Sequence, residues 1–291
     1  MDELNSRLES FRKKYTLLSS MIVVFLLGTI AGFLWISPIV GGACIVLMLV
    51  FIFLSARMNK SYTAFFTENV IEPCYASCGF VDGLRYSREE GISSGTVAGT
   101  GMIRTGTRMS SDNLVTGSYS GLSFSQSCLS IFDESGSGSD RSESEWFKGL
   151  WVIVDLGKSL GGNVQAVSKK FRLDVQPKGM KKLDSSVLPN VAQGEKTFAE
   201  SFEVYAENEQ SARALLSSGV AGAMLKLLAG NEEPIMLAVC GDKLHIALGN
   251  RKNPALSPSL RKGTDISGEK QKITRQLRMV TDFIGALAGS I

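Results

Sequence analysis

Almost every uninterrupted apolar run of the chain lies in its first 55 residues, and apolar positions alternate with polar ones over much of the remainder. From Thr16 to Trp35 the chain reads TLLSSMIVVFLLGTIAGFLW, 20 residues without a charge. At ~1.5 Å per residue a helix of that length spans roughly 30 Å, the thickness of a bilayer's hydrocarbon core. After the turn-like Ile36-Ser37-Pro38, a second uncharged run continues from Ile39 to Ala56. Together they predict a transmembrane hairpin over residues 16–56. A cleaved leader is the rival, because Arg12, Lys13 and Lys14 precede the first run. A leader's apolar region is about 7 to 15 residues, however, and ends at a small-residue cleavage site. Here a longer run is followed directly by another, and Gly41-Gly42-Ala43-Cys44 lacks the leucine of a lipoprotein cleavage box.

Both flanks of the hairpin carry helical periodicity. Met1, Leu4, Leu8, Phe11, Tyr15 and Leu18 recur at steps of three and four with charges between them, so residues 1–15 are expected to form an amphipathic helix on the cytoplasmic side. Its stripe suits packing on a soluble domain, the bilayer surface, or the same helix of another subunit. Beyond the second span, Met58, Tyr62, Phe65, Phe66 and Val70 extend the helical pattern through a juxtamembrane segment, residues 57–79, with Pro73 expected to end or bend it. Such a rod fixes a domain where a flexible linker lets it wander.

Residues 80–291 read as a soluble α+β domain. Strands are expected at Asn113–Tyr119, Leu122–Phe132, Trp146–Leu156, Asn163–Val175 and Phe198–Tyr205, with a mobile polar loop from Glu134 to Glu145. Asn208 caps a helix over Glu209–Leu228 that Gly230 stops. Pro234–Val239 and Lys243–Leu248 form a hairpin about Cys240-Gly241-Asp242. The chain closes on Ile273, Leu277, Val280, Ile284, Leu287 and Ile291, the cleanest heptad in the sequence. Strands, helix, hairpin and helix in that order argue for a mainly antiparallel sheet with two amphipathic helices.

Composition refines this picture. A formal charge of +3 falls short of the basic stripe that tracks nucleic-acid phosphates, so no nucleic-acid partner is expected. Basic residues flank both ends of the hairpin, Arg12, Lys13 and Lys14 before it and Arg57 and Lys60 after it, while its connecting turn has none. Both termini are therefore expected in the cytoplasm. Five cysteines give no disulfide framework. Cys74 and Cys78 stand four apart, but zinc takes about four ligands and the single histidine, His245, is distant in sequence, so no metal is expected.

Searching for chemistry yields little. Gly99-x-Gly101 with Gly106 is not a phosphate-binding fingerprint, and no GxSxG elbow accompanies His245. No catalytic constellation or cofactor is expected. Lys169, Lys170, Lys178, Lys181 and Lys182 form a basic run suited to solvent or to anionic lipid headgroups.

Two stretches, WFKGLWVIVDLGKSLGGNV at Trp146–Val164 and FEVYAENEQSARALLSSGVAGAMLKL at Phe202–Leu227, followed by GDKLHIALG at Gly241–Gly249, resemble a bacterial family, domain of unknown function 3137, sometimes mislabelled galanin-like. The resemblance implies a membrane hairpin before the domain, a bacterial inner-membrane location, and small membrane proteins of the LemA type as candidate partners. It assigns no activity and no site residue. The stretch Gly91–Ser111 departs from the family's aromatic and acidic pattern.

The expected function is a membrane-anchored scaffold or interaction module working as an oligomer or with another membrane protein. A membrane-bound enzyme or small-ligand sensor is the alternative. Gly28 and Gly32 form a small-residue pair for close helix approach. Leu4, Leu8, Phe11, Ile273, Leu277, Val280, Ile284 and Leu287 are the candidate assembly residues, in coiled-coil fashion or packed on their own domain.

Overall fold

The charge-free runs fold as helix, the backbone that satisfies its own hydrogen bonds without water. In the computed structural model, which describes residues 2–79, 83–136, 142–169, 177–231, 233–249 and 265–289, the chain divides into two units. One comprises Met1–Cys74 with Pro258–Ile273, the other Tyr75–Ser257 with Thr274–Ile291.

In the first unit, α1 (Asp2–Ala31) runs without a break from the amphipathic segment into the first apolar run. It widens into a π-helical turn, Gly32–Ile36, and Ser37 alone separates this from α2 (Pro38–Phe66). The Ser37 hydroxyl accepts from the Ile39 amide at 3.2 Å, and Pro38 occupies the first helical turn, where its missing N–H costs nothing. Two helices, Glu3–Ile36 and Pro38–Ser77, are long and apolar enough to cross a membrane. Pro73 does not end the helix: a π-helical turn, Thr67–Ile71, precedes it, and α3 (Glu72–Ser77) carries on beyond. The wider turn, in which the Glu72 amide reaches back to the Thr67 carbonyl, is where the ladder absorbs the proline's lost donor.

The second unit is built on a sheet whose described strands run in the order β1-β2-β3-β4-β11-β10-β5-β9-β6, every neighbouring pair antiparallel. They are β1 (Arg85–Ser87), β2 (Arg108–Tyr119), β3 (Leu122–Ser135), β4 (Ser142–Asp155), β5 (Val164–Ser168), β6 (Lys181–Lys182), β9 (Phe202–Ala206), β10 (Ile235–Cys240) and β11 (Lys243–Gly249). A small hairpin, β7 (Ala192–Gln193) with β8 (Lys196–Thr197), stands apart. Helices α4 (Ser94–Gly99), α5 (Phe198–Ser201), α6 (Glu209–Leu215), α7 (Ser218–Gly230) and α8 (Ile266–Ala288) complete an α+β fold.

Alternation puts Leu150, Val152 and Val154 of β4 and Leu244 and Ile246 of β11 on one buried face. Trp151, Ala247, Met236 and Val167 line the other, where Ile92, Val97, Met102 and Ile103 cover them. The Gly-rich stretch after Gly91 is thus a roof over the sheet, with α4 capped by Ser93, and not a loose loop. Gly91 is required there, because a Cβ would lie 2.4 Å from the Ser111 backbone.

Several expectations are corrected. Both described ends of the polar segment Glu134–Glu145 are strand, Glu134 pairing with Glu143 and Ser135 with Ser142, while residues 137–141 lie outside the described residues. Arg108 reconciles the opposed carboxylates, lying 3.3 Å from Glu134 and also bonding Glu143. Residues 198–201 are a helical turn closed by a capping box between Thr197 and Glu200, and β9 starts only at Phe202. The helix over 209–228 is two, because Ser217 caps a new start by accepting from the Val220 amide. The strand from Asn163 is ordered as β5 to Ser168, and its remainder, 170–175, lies outside the described residues.

Candidate functional site

The two packing glycines lie where the two apolar helices meet. A Cβ on Gly32 would stand 2.6 Å from the Gly41 nitrogen, so the helices touch backbone to backbone at the apex. At Gly28 the neighbour is the Cys44 Sγ, 3.1 Å from such a Cβ. Both glycines therefore face α2 of the same chain. Farther down, Phe25 stacks on Phe51 at 5.4 Å, and Phe11 meets Tyr62 and Phe65 at 6.0 and 5.5 Å.

Beyond the apolar band the pair continues as a packed base. Leu8, Tyr62, Phe65, Phe66, Val70 and Ile71 are buried, together with Ile266 and Ile273 from the first turns of α8. The Ile266 amide donates to Asn5 Oδ1 at 3.4 Å, and the Cys74 thiol donates to the Lys270 carbonyl at 3.8 Å. Three segments distant in sequence thus close one apolar seam, which is the reason for the period of three and four in the first helix.

The structure places the candidate assembly residues inside one chain. Ile273, Leu277, Val280, Ile284 and Leu287 are each at most 2% exposed, Leu8 is buried, and Leu4 and Phe11 are half-buried. Their stripe has already lost its water without a second copy. Met1 and Ile291 lie outside the described residues. What the first unit exposes instead is the apolar band, from Leu17, Val23 and Leu27 to Trp35 and Ile39, the last two 81% and 83% exposed.

On the second unit a groove of ≈ 410 Å³ opens at the β6–β9 edge, lined by Lys169, Lys182, Asp184, Ser185, Phe202 and Glu203 among others. Lys182 Nζ donates to Glu203 Oε1 at 2.6 Å, and the Tyr205 hydroxyl donates to Glu203 Oε2 at 2.9 Å. The bond from Lys182 holds the Glu203 carboxyl below the usual carboxylate range. Part of the basic run is therefore one half of a polar groove, with Lys181 exposed beside it and Lys170 outside the described residues. Glu203 gave no signal in the sequence, because its partner lies on another strand.

His245 is buried on the roofed face, where the Trp151 indole N–H donates to its Nδ1 at 3.3 Å. Burial, with Lys243 adding a smaller push, lowers its pKa to about 4. Nearby, Gln165 Nε2 donates to the Met102 carbonyl at 3.3 Å and the Cys240 thiol to the Thr100 carbonyl at 3.8 Å. These groups tie the roof to the sheet. Burial pushes the Cys128 thiol up to about 12 and raises Cys240 as well, so both stay protonated at neutral pH and neither is a ready nucleophile. The glycines at 99 and 101 belong to the roof, whose Val97 and Met102 are fully buried, and Gly106 follows it against the Phe132 backbone of β3. Among the described residues no group of His, Cys, Asp and Glu is arranged to hold a metal.

Residues 145–288 match the family model described as "Protein of unknown function (DUF3137)". No curated protein matches the chain. Among solved structures, the crystal structure of the mycobacterial trehalose monomycolate transport factor A, TtfA, is similar at 11% identity and a TM-score of 0.36, over 70% of this chain and 89% of that one.

Proposed function

We propose, for a chain whose residues 145–288 belong to the DUF3137 family of proteins of unknown function, that it is a membrane-anchored interaction module. In this reading the hairpin crosses the bacterial inner membrane twice, and both termini and the sheet domain lie in the cytoplasm. One observation carries it: the hairpin continues past its apolar band into a packed helical base closed by Phe11, Tyr62, Phe65 and the first turns of α8. A mobile tether needs no such base; a fixed mount does. Partners assemble on the mount in the plane of the membrane, as further copies or as a small protein of the LemA type, and confinement to that plane raises their effective concentration. Because the heptad stripes are buried, the surface left for lateral association is the exposed apolar band and the outer surface of the sheet domain.

The groove at Lys182 and Glu203 supports a second reading, a sensor for a small polar ligand, since its ≈ 410 Å³ falls in the range of about 300–1,000 Å³ typical of ligand sites. Orientation tests the first reading at its root. Single cysteines near each terminus, in a background lacking the native ones, are expected to resist impermeant thiol reagents in intact cells and react after lysis. Labelling of either end in intact cells contradicts the proposed topology.

A further inference from the structure

Five cations collect at one level of the helical hairpin. Contact between Phe11 and the Tyr62–Phe65 pair fixes the register of α1 against α2. Arg12, Lys13 and Lys14 begin one residue past Phe11, and Arg57 and Lys60 lie within two turns of Tyr62. At ~1.5 Å per residue, all five fall within about 10 Å along the hairpin axis. All five are exposed. No Asp or Glu occurs from Ser10 through Thr67, so nothing within the hairpin neutralises this collar except Glu9, which pairs with Lys13 at 2.8 Å from the side away from the apex. Immediately toward the apex the surface turns apolar, with Leu17, Val23 and Val24 each more than half exposed.

We infer that this collar is a binding site for anionic phospholipids, with Arg12, Lys14, Arg57 and Lys60 holding the headgroup phosphates while the acyl chains lie along the apolar band. The inference rests on the reading that the hairpin crosses a bilayer. A phosphate on a lipid satisfies both surfaces at once, whereas a soluble phosphate meets only the charged one. Lysine and arginine stems also lie along apolar surface and present their charges at the headgroup level. Four cations at one depth, none of them in a salt bridge among the described residues and with no acidic residue between them, attract negative headgroups more strongly than zwitterionic ones.

The test uses the full chain in neutral detergent, offered equal amounts of phosphatidylglycerol and phosphatidylcholine, with retained lipid counted by native mass spectrometry. The wild type is expected to retain phosphatidylglycerol with about tenfold preference, a preference that weakens as salt rises. The R12Q/K14Q/R57Q/K60Q variant, whose substitutions are all at exposed positions, is expected to retain both lipids equally with an unchanged circular dichroism spectrum. A K158Q/K226Q variant, altered only on the sheet domain, is expected to keep the preference. Equal retention by the wild type, an undiminished preference in the quadruple variant, or displacement by soluble glycerol phosphate overturns the proposal. Insertion into vesicles of phosphatidylcholine alone reports separately on the membrane-crossing reading, since it needs the apolar band and not the collar.

Discussion

The Trp151 indole and the His245 imidazole meet across 3.3 Å between β4 and β11, with the ring nitrogen of His245 as acceptor. A protonated imidazole has no acceptor to offer, so the contact exists only in the neutral form. The folded-state pKa, about 4, lies below the ordinary 6.5. The contribution is therefore fully present above pH ~6.5 and is lost as the pH falls toward 4, by up to about 3 kcal/mol. Urea unfolding of the full chain in detergent is expected to show this loss between those two values. His245→Gln, whose amide oxygen can still accept from Trp151, is expected to flatten that part of the profile; an unchanged slope counts against the assignment.

At the hairpin apex, sterics predict unequal glycines. A side chain at Gly32 meets the Gly41 backbone, which cannot move aside, whereas Gly42 faces open space. Gly32→Leu is expected to separate the spans and cost about 1–3 kcal/mol, while Gly42→Leu leaves the hairpin intact. Disulfide trapping between the native Cys44 and a cysteine placed at position 28, whose Cβ would lie 3.1 Å from the Cys44 Sγ, measures the separation; equal trapping in both variants contradicts the packing.

Charge placed among buried apolar side chains acts on folding before it acts on assembly. Leu277 is 2% exposed, so Leu277→Glu buries an unpaired carboxylate and is expected to unfold the domain even in a single chain. Leu8→Glu, beside the exposed Arg7 and Glu9, is expected to be milder. Leu27 and Leu34 lie on the exposed apolar band, and their replacement by Ala is expected to leave folding intact while weakening lateral association. Limited proteolysis combined with particle size separates these outcomes.

What could be read from the sequence follows the range of the forces involved. The two long apolar helices were legible because absence of charge over 20 residues is a local signal, and the β10–β11 hairpin because Gly241 and the alternation around it are local too. The roof over residues 91–103 was not, since its Gly and Ser content imitates a linker while the need for Gly91 arises from Ser111. The strands through Glu134 and Glu143 were missed because Arg108, which reconciles them, lies on a third strand. The groove shares that cause: Lys182 reads as a solvated charge until Glu203 is brought beside it. The heptads picked out side chains that are buried or half-buried but did not decide what they face, because burial in one's own chain and burial against a copy select the same side chains.

Gentle extraction followed by native mass measurement tests the interaction-module reading most directly. One chain has a mass of 31.4 kDa, and the account predicts a folded particle carrying several copies, or a copy with a second small membrane protein, that dissociates on Leu27→Ala and Leu34→Ala. Single chains at every accessible concentration, folded and without a co-purifying partner, would contradict it.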